Sequence, residues 1–264
     1  MLFRIVALFL GREPRVITRK GIRYVVDIAE GLDLSLLIFG DFQSHVTHNR
    51  EAHLPVDGVV LDVGANVGIM TLNFARACPS GHVYAFEPTC FALEKLKRNI
   101  SLNPELADNI LVTQAFVTAP GCTENTLRAY SSWRVDKSPD KADHPVHGGT
   151  PMDTEGAISI SLDDFVKKKQ IDRVDLLKID TDGYELDVLK GATEVLQAYR
   201  PSIIFEIGQY LIQERGQSFQ DFYDLLKPLG YELRNTSNQR IIDTSNAQDM
   251  IPAKGTIDVI AIAH

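Results

Sequence analysis

From Val59 onward, short apolar runs alternate with amphipathic stretches at a steady cadence, and few folds absorb that pattern. The runs VVLDVG, HVYAFEP and NILVTQAFV read as strands, while IMTLNFARAC and CFALEKLKRNISLN between them read as helices. Strand, helix, strand connections of this length are right-handed crossovers, so the strands lie parallel. Helices then cover both faces of the sheet, which explains why Val59, Val60, Leu61 and Val63 are apolar without alternation. After Val117 the cadence breaks, because residues 118–157 are rich in Pro, Gly, Ser, Asp and His. A loop of that length inside a compact domain is usually functional or mobile. Order resumes with SISLDDFVKKKQ as a helix capped by Ser161, VDLLKIDTDG as a strand, ELDVLKGATEVLQAY as a helix and PSIIFEIG as a strand. The helix SFQDFYDLLKPLG and the strands YELRNTS, RIIDTS and IDVIAIAH complete the chain.

Residues 14–46 differ: apolar and polar residues alternate around Gly21, Gly31 and Gly40 as in antiparallel hairpins. The expected organisation is an N-terminal helix and β-hairpin appendage over residues 1–50, followed by one large domain over 51–264. The opening MLFRIVALFLG is too short to cross a bilayer, is interrupted by Arg4 and has no small-residue cleavage site, so neither a signal peptide nor a membrane span is expected. A short element packed on the domain is its plain reading, with a membrane-surface or homo-oligomer contact as the alternative. The 264 residues carry 27 Lys and Arg against 35 Asp and Glu, a net charge of −8, which disfavours a general grip on nucleic-acid phosphates. Cys78, Cys90 and Cys122 form no CxxC pair, which argues against disulfides or zinc and for a cytoplasmic location.

The turn after the first buried strand narrows the ligand. Gly64 and Gly68 let backbone N–H groups approach a bound molecule, but Ala65 and Asn66 stand where a GxGxxG dinucleotide fingerprint wants its second glycine. Asp62 would repel phosphates and attract an ammonium group, and Glu87 ends the next strand where it would accept hydrogen bonds from both ribose hydroxyls of a nucleoside. A nucleoside joined to an amino acid without phosphates describes S-adenosylmethionine, with Asp62, Gly64, Asn66, Gly68 and Glu87 as its expected contacts.

DVGANVG, AFEP, NISLN, SLDDF, LKIDTDGYELDVLKGA and PSIIFEI together resemble the FkbM family of S-adenosylmethionine-dependent methyltransferases, from about Val59 to Ile207. The resemblance implies an α/β, Rossmann-like class I methyltransferase fold: a seven-stranded, mostly parallel sheet with one antiparallel strand, to which RIIDTS and IDVIAIAH would contribute. It also implies methyl transfer to an oxygen, commonly a hydroxyl on a sugar or another small molecule. The family more often has Glu where Asp182 stands.

In-line transfer from a sulfonium needs a positioned acceptor oxygen and a base for an unactivated hydroxyl. Asp180, Asp182 and Glu206 lie at strand ends near the expected cofactor, and Asp180 is the expected base or the group that orients the acceptor. Asp180 with Glu206 would alternatively hold a Mg²⁺. His144, His147, Trp133 and Tyr130 fall in the irregular loop as candidates for a substrate lid with an imidazole base, against the plain reading of solvated histidines and a loop-anchoring tryptophan. The rivals are a nucleic-acid or protein methyltransferase of the same fold, a nicotinamide-dependent dehydrogenase, and a non-catalytic module that binds the cofactor or assembles with partners.

Overall fold

In the computed structural model, residues 6–9, 11–40, 46, 49–122, 128–131, 135 and 149–264 are described. Near the N-terminus, β1 (Arg15–Arg19) and β2 (Ile22–Val26) form an antiparallel hairpin. The strands β3 (Val59–Val63), β4 (His82–Phe86) and β5 (Ile110–Thr113) follow, and then β6 (Ala115–Val117), β7 (Tyr130–Ser131), β8 (Thr150–Pro151) and β9 (Ile158–Ile160). The last strands are β10 (Leu176–Ile179), β11 (Ser202–Ile207), β12 (Tyr231–Asn235) and β13 (Ile257–Ala263). Seven of them build the central sheet in the order β12-β13-β11-β10-β3-β4-β5. Only β13 runs antiparallel to its neighbours β11 and β12, so the expected sheet with one reversed strand is present.

Both faces of this sheet are apolar, and residue parity sorts them. Leu61, Val63, Leu177, Ile179, Ile203 and Phe205 pack in one cluster with Leu162, Phe165, Leu186, Leu196 and Phe222. Val60, Val83, Leu176, Ile204 and Ile260 pack on the other face with Leu72 and Phe74. That second cluster also contains Ile22, Tyr24, Val26, Leu32 and Leu36, so the N-terminal hairpin and the segment after it share the core of the sheet.

The structure redraws four elements. GLDLSLLIFG is a helix (Gly31–Phe39) rather than part of a hairpin, because Leu32 and Leu36 bury at helical spacing, and Gly40 ends it in the left-handed region at φ 72°. NILVTQAFV divides: β5 stays in the main sheet, whereas β6 leaves it to pair with β9. ELDVLKGATEVLQAY divides into helices Glu185–Lys190 and Thr193–Tyr199. RIIDTS supplies only an isolated bridge from Ile241 to Arg234, and the sheet strand there is β12. The reason is local: Asp243 Oδ1 accepts from the Ser245 N–H at 2.8 Å and Asn246 Oδ1 from the Asp243 N–H at 3.0 Å, which folds the stretch into turns. The Ser161 cap is as expected, its hydroxyl accepting from the Asp164 N–H at 3.1 Å.

Candidate active site

Strand register brings the chemistry together. Val63 pairs with Phe86 on one side and Ile179 on the other, and Ile179 pairs with Phe205. The next residue of each strand therefore falls in one row across the carboxyl ends: Glu87, Gly64, Asp180 and Glu206. Open α/β sheets bind ligands there. A cavity of about 330 Å³ opens over this row, and its walls include Gly64, Asn66, Glu87, Asp180, Asp182 and Glu206. That volume suits a small molecule.

Gly64 holds the bend because its φ is +74° and a Cβ there would lie 1.8 Å from the Asp180 carbonyl oxygen. Behind it, Asp62 is fully buried and does not line the cavity. Its carboxylate accepts the Thr71 hydroxyl at 2.6 Å and pairs with Lys178 Nζ at 3.2 Å. The ammonium group that the acid at 62 was expected to attract is thus supplied from within the chain. Lys178 Nζ also donates to the Gly64 carbonyl at 2.8 Å and stands 3.8 Å from Asp180 Oδ2. Gly68 likewise sits beneath the cavity wall, where a Cβ would come 2.3 Å from Leu96 Cδ1.

Glu87 is 5 % exposed and faces the cavity. One carboxylate oxygen accepts the Asn66 N–H at 2.8 Å; the other accepts the Thr89 N–H at 2.9 Å and the Thr89 hydroxyl at 2.6 Å. Burial raises its pKa, and these donors oppose that shift. Asn66 holds φ 49°, a left-handed conformation that asparagine tolerates. The bend and the acid at the end of β4 therefore form one hydrogen-bonded unit.

After β10 the chain turns through Asp182 at φ 51° and Gly183 at φ 100°. Buried Glu185 fixes this turn, since its Oε1 accepts the Thr181 N–H at 2.9 Å, the Thr181 hydroxyl at 3.0 Å and the Gly183 N–H at 3.2 Å. Tyr184 stacks under Arg215, whose guanidinium carbon lies 3.7 Å from the ring centroid, and the Tyr184 hydroxyl accepts the Arg128 N–H at 3.0 Å. Arg128 and Tyr130, from the long loop, line the cavity. His144, His147 and Trp133 lie outside the described residues.

The acids of this wall resist ionisation together. Burial, then the Asp180, Glu185 and Glu87 charges, push Asp182 up to about 8; burial and Asp180 push Glu206 up to about 9. Asp180 is raised mainly by burial, against the pull of Lys178. A carboxyl whose folded pKa exceeds its unfolded one stabilises the fold below the unfolded pKa, and that contribution is lost as pH rises through the folded value. The free protein should therefore melt at a lower temperature at pH 9 than at pH 6, and Asp182→Asn should flatten that slope in a calorimetric pH series. A slope unchanged by the substitution would refute the assignment.

Sequence reasoning missed Lys178 and Glu185. The signal for Lys178 was present, namely a single lysine inside the four-residue buried strand LLKI. A Mg²⁺ held by Asp180 and Glu206 finds less support: Lys178 already faces Asp180, and Glu206 Oε1 accepts the Thr256 hydroxyl at 2.6 Å. Among the described residues, no three His, Cys, Asp or Glu side chains are grouped to hold a metal ion. No helix among them is long and apolar enough to cross a membrane.

The single reversed strand, the glycine bend over an acid-tipped β4 and the row of acidic side chains across the strand ends define a class I, Rossmann-like methyltransferase. The cavity is lined by the buried Glu87 carboxylate at the end of β4 and by apolar side chains that include Met70 and Phe116, a mixed polar and apolar lining compatible with S-adenosylmethionine. The chain belongs to the FkbM methyltransferase family, whose domain model matches residues 62–233. It is 27 % identical over 195 residues to methyltransferase sdnD of Sordaria araneosa, covering 62 % of this chain and 75 % of that protein. To the hexuronic acid methyltransferase AglP of Haloferax volcanii it is 31 % identical over 146 residues, which are 54 % of this chain and 53 % of that one. Among solved structures, methyltransferase FkbM of Methylobacillus flagellatus superposes with a TM-score of 0.45 at 17 % identity, over 80 % of this chain and 47 % of that one.

Proposed function

We propose that this methyltransferase acts on an oxygen, transferring the methyl group of S-adenosylmethionine to a hydroxyl of a small molecule or sugar. The observation that carries this reading is Asp180, which faces the cavity with a buried ammonium 3.8 Å behind it. When bound, S-adenosylmethionine supplies an activated sulfonium methyl. The residues that would hold it are Glu87, toward the ribose hydroxyls, and the backbone of Gly64 and Asn66 in the bend.

Asp180 takes the acceptor's proton on its carboxylate. Burial raises its pKa above the ordinary carboxylate value, which strengthens it as a proton acceptor, and the Lys178 charge opposes that shift by favouring the ionised form. Asp182 and Glu206, held up at about 8 and about 9, stay largely protonated at neutral pH and serve as hydrogen-bond donors to a polyhydroxyl acceptor. The hydroxyls of Tyr184, Tyr210 and Thr256, on the same wall, suit such an acceptor. Similarity to a protein named as a hexuronic acid methyltransferase supports the sugar class. Asp62 acts from behind, as the counter-charge that holds Lys178 in place.

Methyl transfer from labelled S-adenosylmethionine across a panel of sugars, uronic acids, alcohols, amines and nucleic acid tests the reading. Transfer to hydroxyl acceptors is expected; transfer confined to amines or nucleic acid would overturn it. Glu87→Gln should weaken S-adenosylhomocysteine binding by about 1–3 kcal/mol in titration calorimetry, the scale of hydrogen bonds to a charged group. Wild-type affinity in a well-folded variant would rule out the sugar-gripping role.

A further inference from the structure

The NISLN stretch carries two buried asparagines, Asn99 and Asn103, with no place in the chemistry above. Both reach the N-terminal hairpin. The Val25 N–H donates to Asn99 Oδ1 at 2.8 Å, and the Arg23 N–H donates to Asn103 Oδ1 at 2.8 Å. Arg23 and Val25 alternate along β2, so the two side chains satisfy the strand edge that β1 leaves open, as a further strand would. Asn103 Nδ2 closes the pattern by donating to the Arg23 carbonyl and the Asn99 carbonyl, each at 2.8 Å.

Asn99 does one thing more. Its Nδ2 donates to the Val67 carbonyl at 2.8 Å, inside the glycine bend and one residue from Asn66, whose N–H meets Glu87. A single buried amide thus joins the hairpin to the bend. The next stretch of the same segment leans on the site as well. Leu32 lines the cavity, and Asp33, which accepts the Asp27 N–H at 2.6 Å, pairs with Lys95 one turn before Asn99.

We propose that Asn99 is a positioning residue through which residues 15–39 hold the cofactor bend in its binding shape, which makes the N-terminal segment part of the cofactor site rather than an appendage. The affinity part rests on the S-adenosylmethionine reading; the positioning part does not. Asn103 is the internal control, because it grips the same strand without touching the bend.

The experiment compares full-length Asn99→Ala, Asn99→Asp and Asn103→Ala by three measurements: thermal melting, hydrogen exchange of residues 65–69 in the free protein, and S-adenosylhomocysteine calorimetry. Asn99→Asp keeps the acceptor for Val25 and drops the amide donor to Val67, so it reports even if Asn99→Ala fails to fold. Both Asn99 variants should speed exchange in the bend and raise the dissociation constant about tenfold, the scale of one buried hydrogen bond. Asn103→Ala should lower the melting temperature with bend exchange and affinity near wild type. Equal effects of the Asn99 and Asn103 substitutions on the bend, or none from Asn99, would overturn the proposal. If the unaltered protein does not bind S-adenosylhomocysteine, the cofactor reading fails, and the exchange comparison alone decides the positioning role.

Discussion

Lys178→Met is expected to lower the free energy of unfolding by about 3–5 kcal/mol, because it strands a carboxylate that is entirely inside the protein. Lys178 pairs with Asp62 at 3.2 Å, and the two side chains are 5 % and 0 % exposed. Methionine keeps the straight chain and most of the volume, so little of the loss comes from a cavity. The Gly64 carbonyl would also lose its donor at 2.8 Å. Removing both charges should be far milder than removing one, so Asp62→Asn introduced into Lys178→Met should recover part of the stability. Urea denaturation of the four proteins in the cycle measures this. A loss below about 1 kcal/mol in the single variant would mean that the pair is no more important than a surface ion pair.

The second large effect is on turnover. Asp180→Asn should lower kcat by about 10²–10⁴, the usual contribution of a positioned general base, while leaving the fold intact. The side chain is one-third exposed and the amide has the same shape, so a folding defect is not expected. In the unaltered enzyme, kcat/KM should climb with pH through the ionisation of Asp180, whose pKa lies above the ordinary carboxylate value. The acid limb should vanish in the residual activity of Asp180→Asn. Turnover unchanged by the substitution, or an acid limb that survives it, would assign the proton to another group.

These two effects share one origin. Strand pairing sets Lys178 opposite Asp62, and two residues later Asp180 emerges on the same face of the sheet. Alternate residues of a strand share a face, so a buried pair that anchors the strand also supplies the charge behind the partly buried acid that faces the cavity. With Asp180 as the proposed base, stability and catalysis at this strand end are coupled: stripping the lysine would both loosen the bend and raise the pKa of Asp180.

The sequence by itself determined the strand–helix cadence, the parallel sheet, the glycine bend and the acids that end β3's neighbours, because each rests on local periodicity or on a residue type with a narrow conformational or chemical use. Gly64 is one such residue, and Glu87 and Asp180 were legible because a carboxylate closing an apolar strand needs a reason to be there. What only the tertiary structure decided is which charges meet. Asp62 was read as a ligand for a bound ammonium, yet strand register gives it Lys178 from 116 positions further on, and no local pattern encodes that pairing. The helix at Gly31–Phe39 was hidden for the same kind of reason, its leucines burying against β2 and the sheet rather than a hairpin partner. Asn99 joins hairpin and bend across 74 and 32 residues of chain, contacts that exist only once the sheet has brought distant segments side by side.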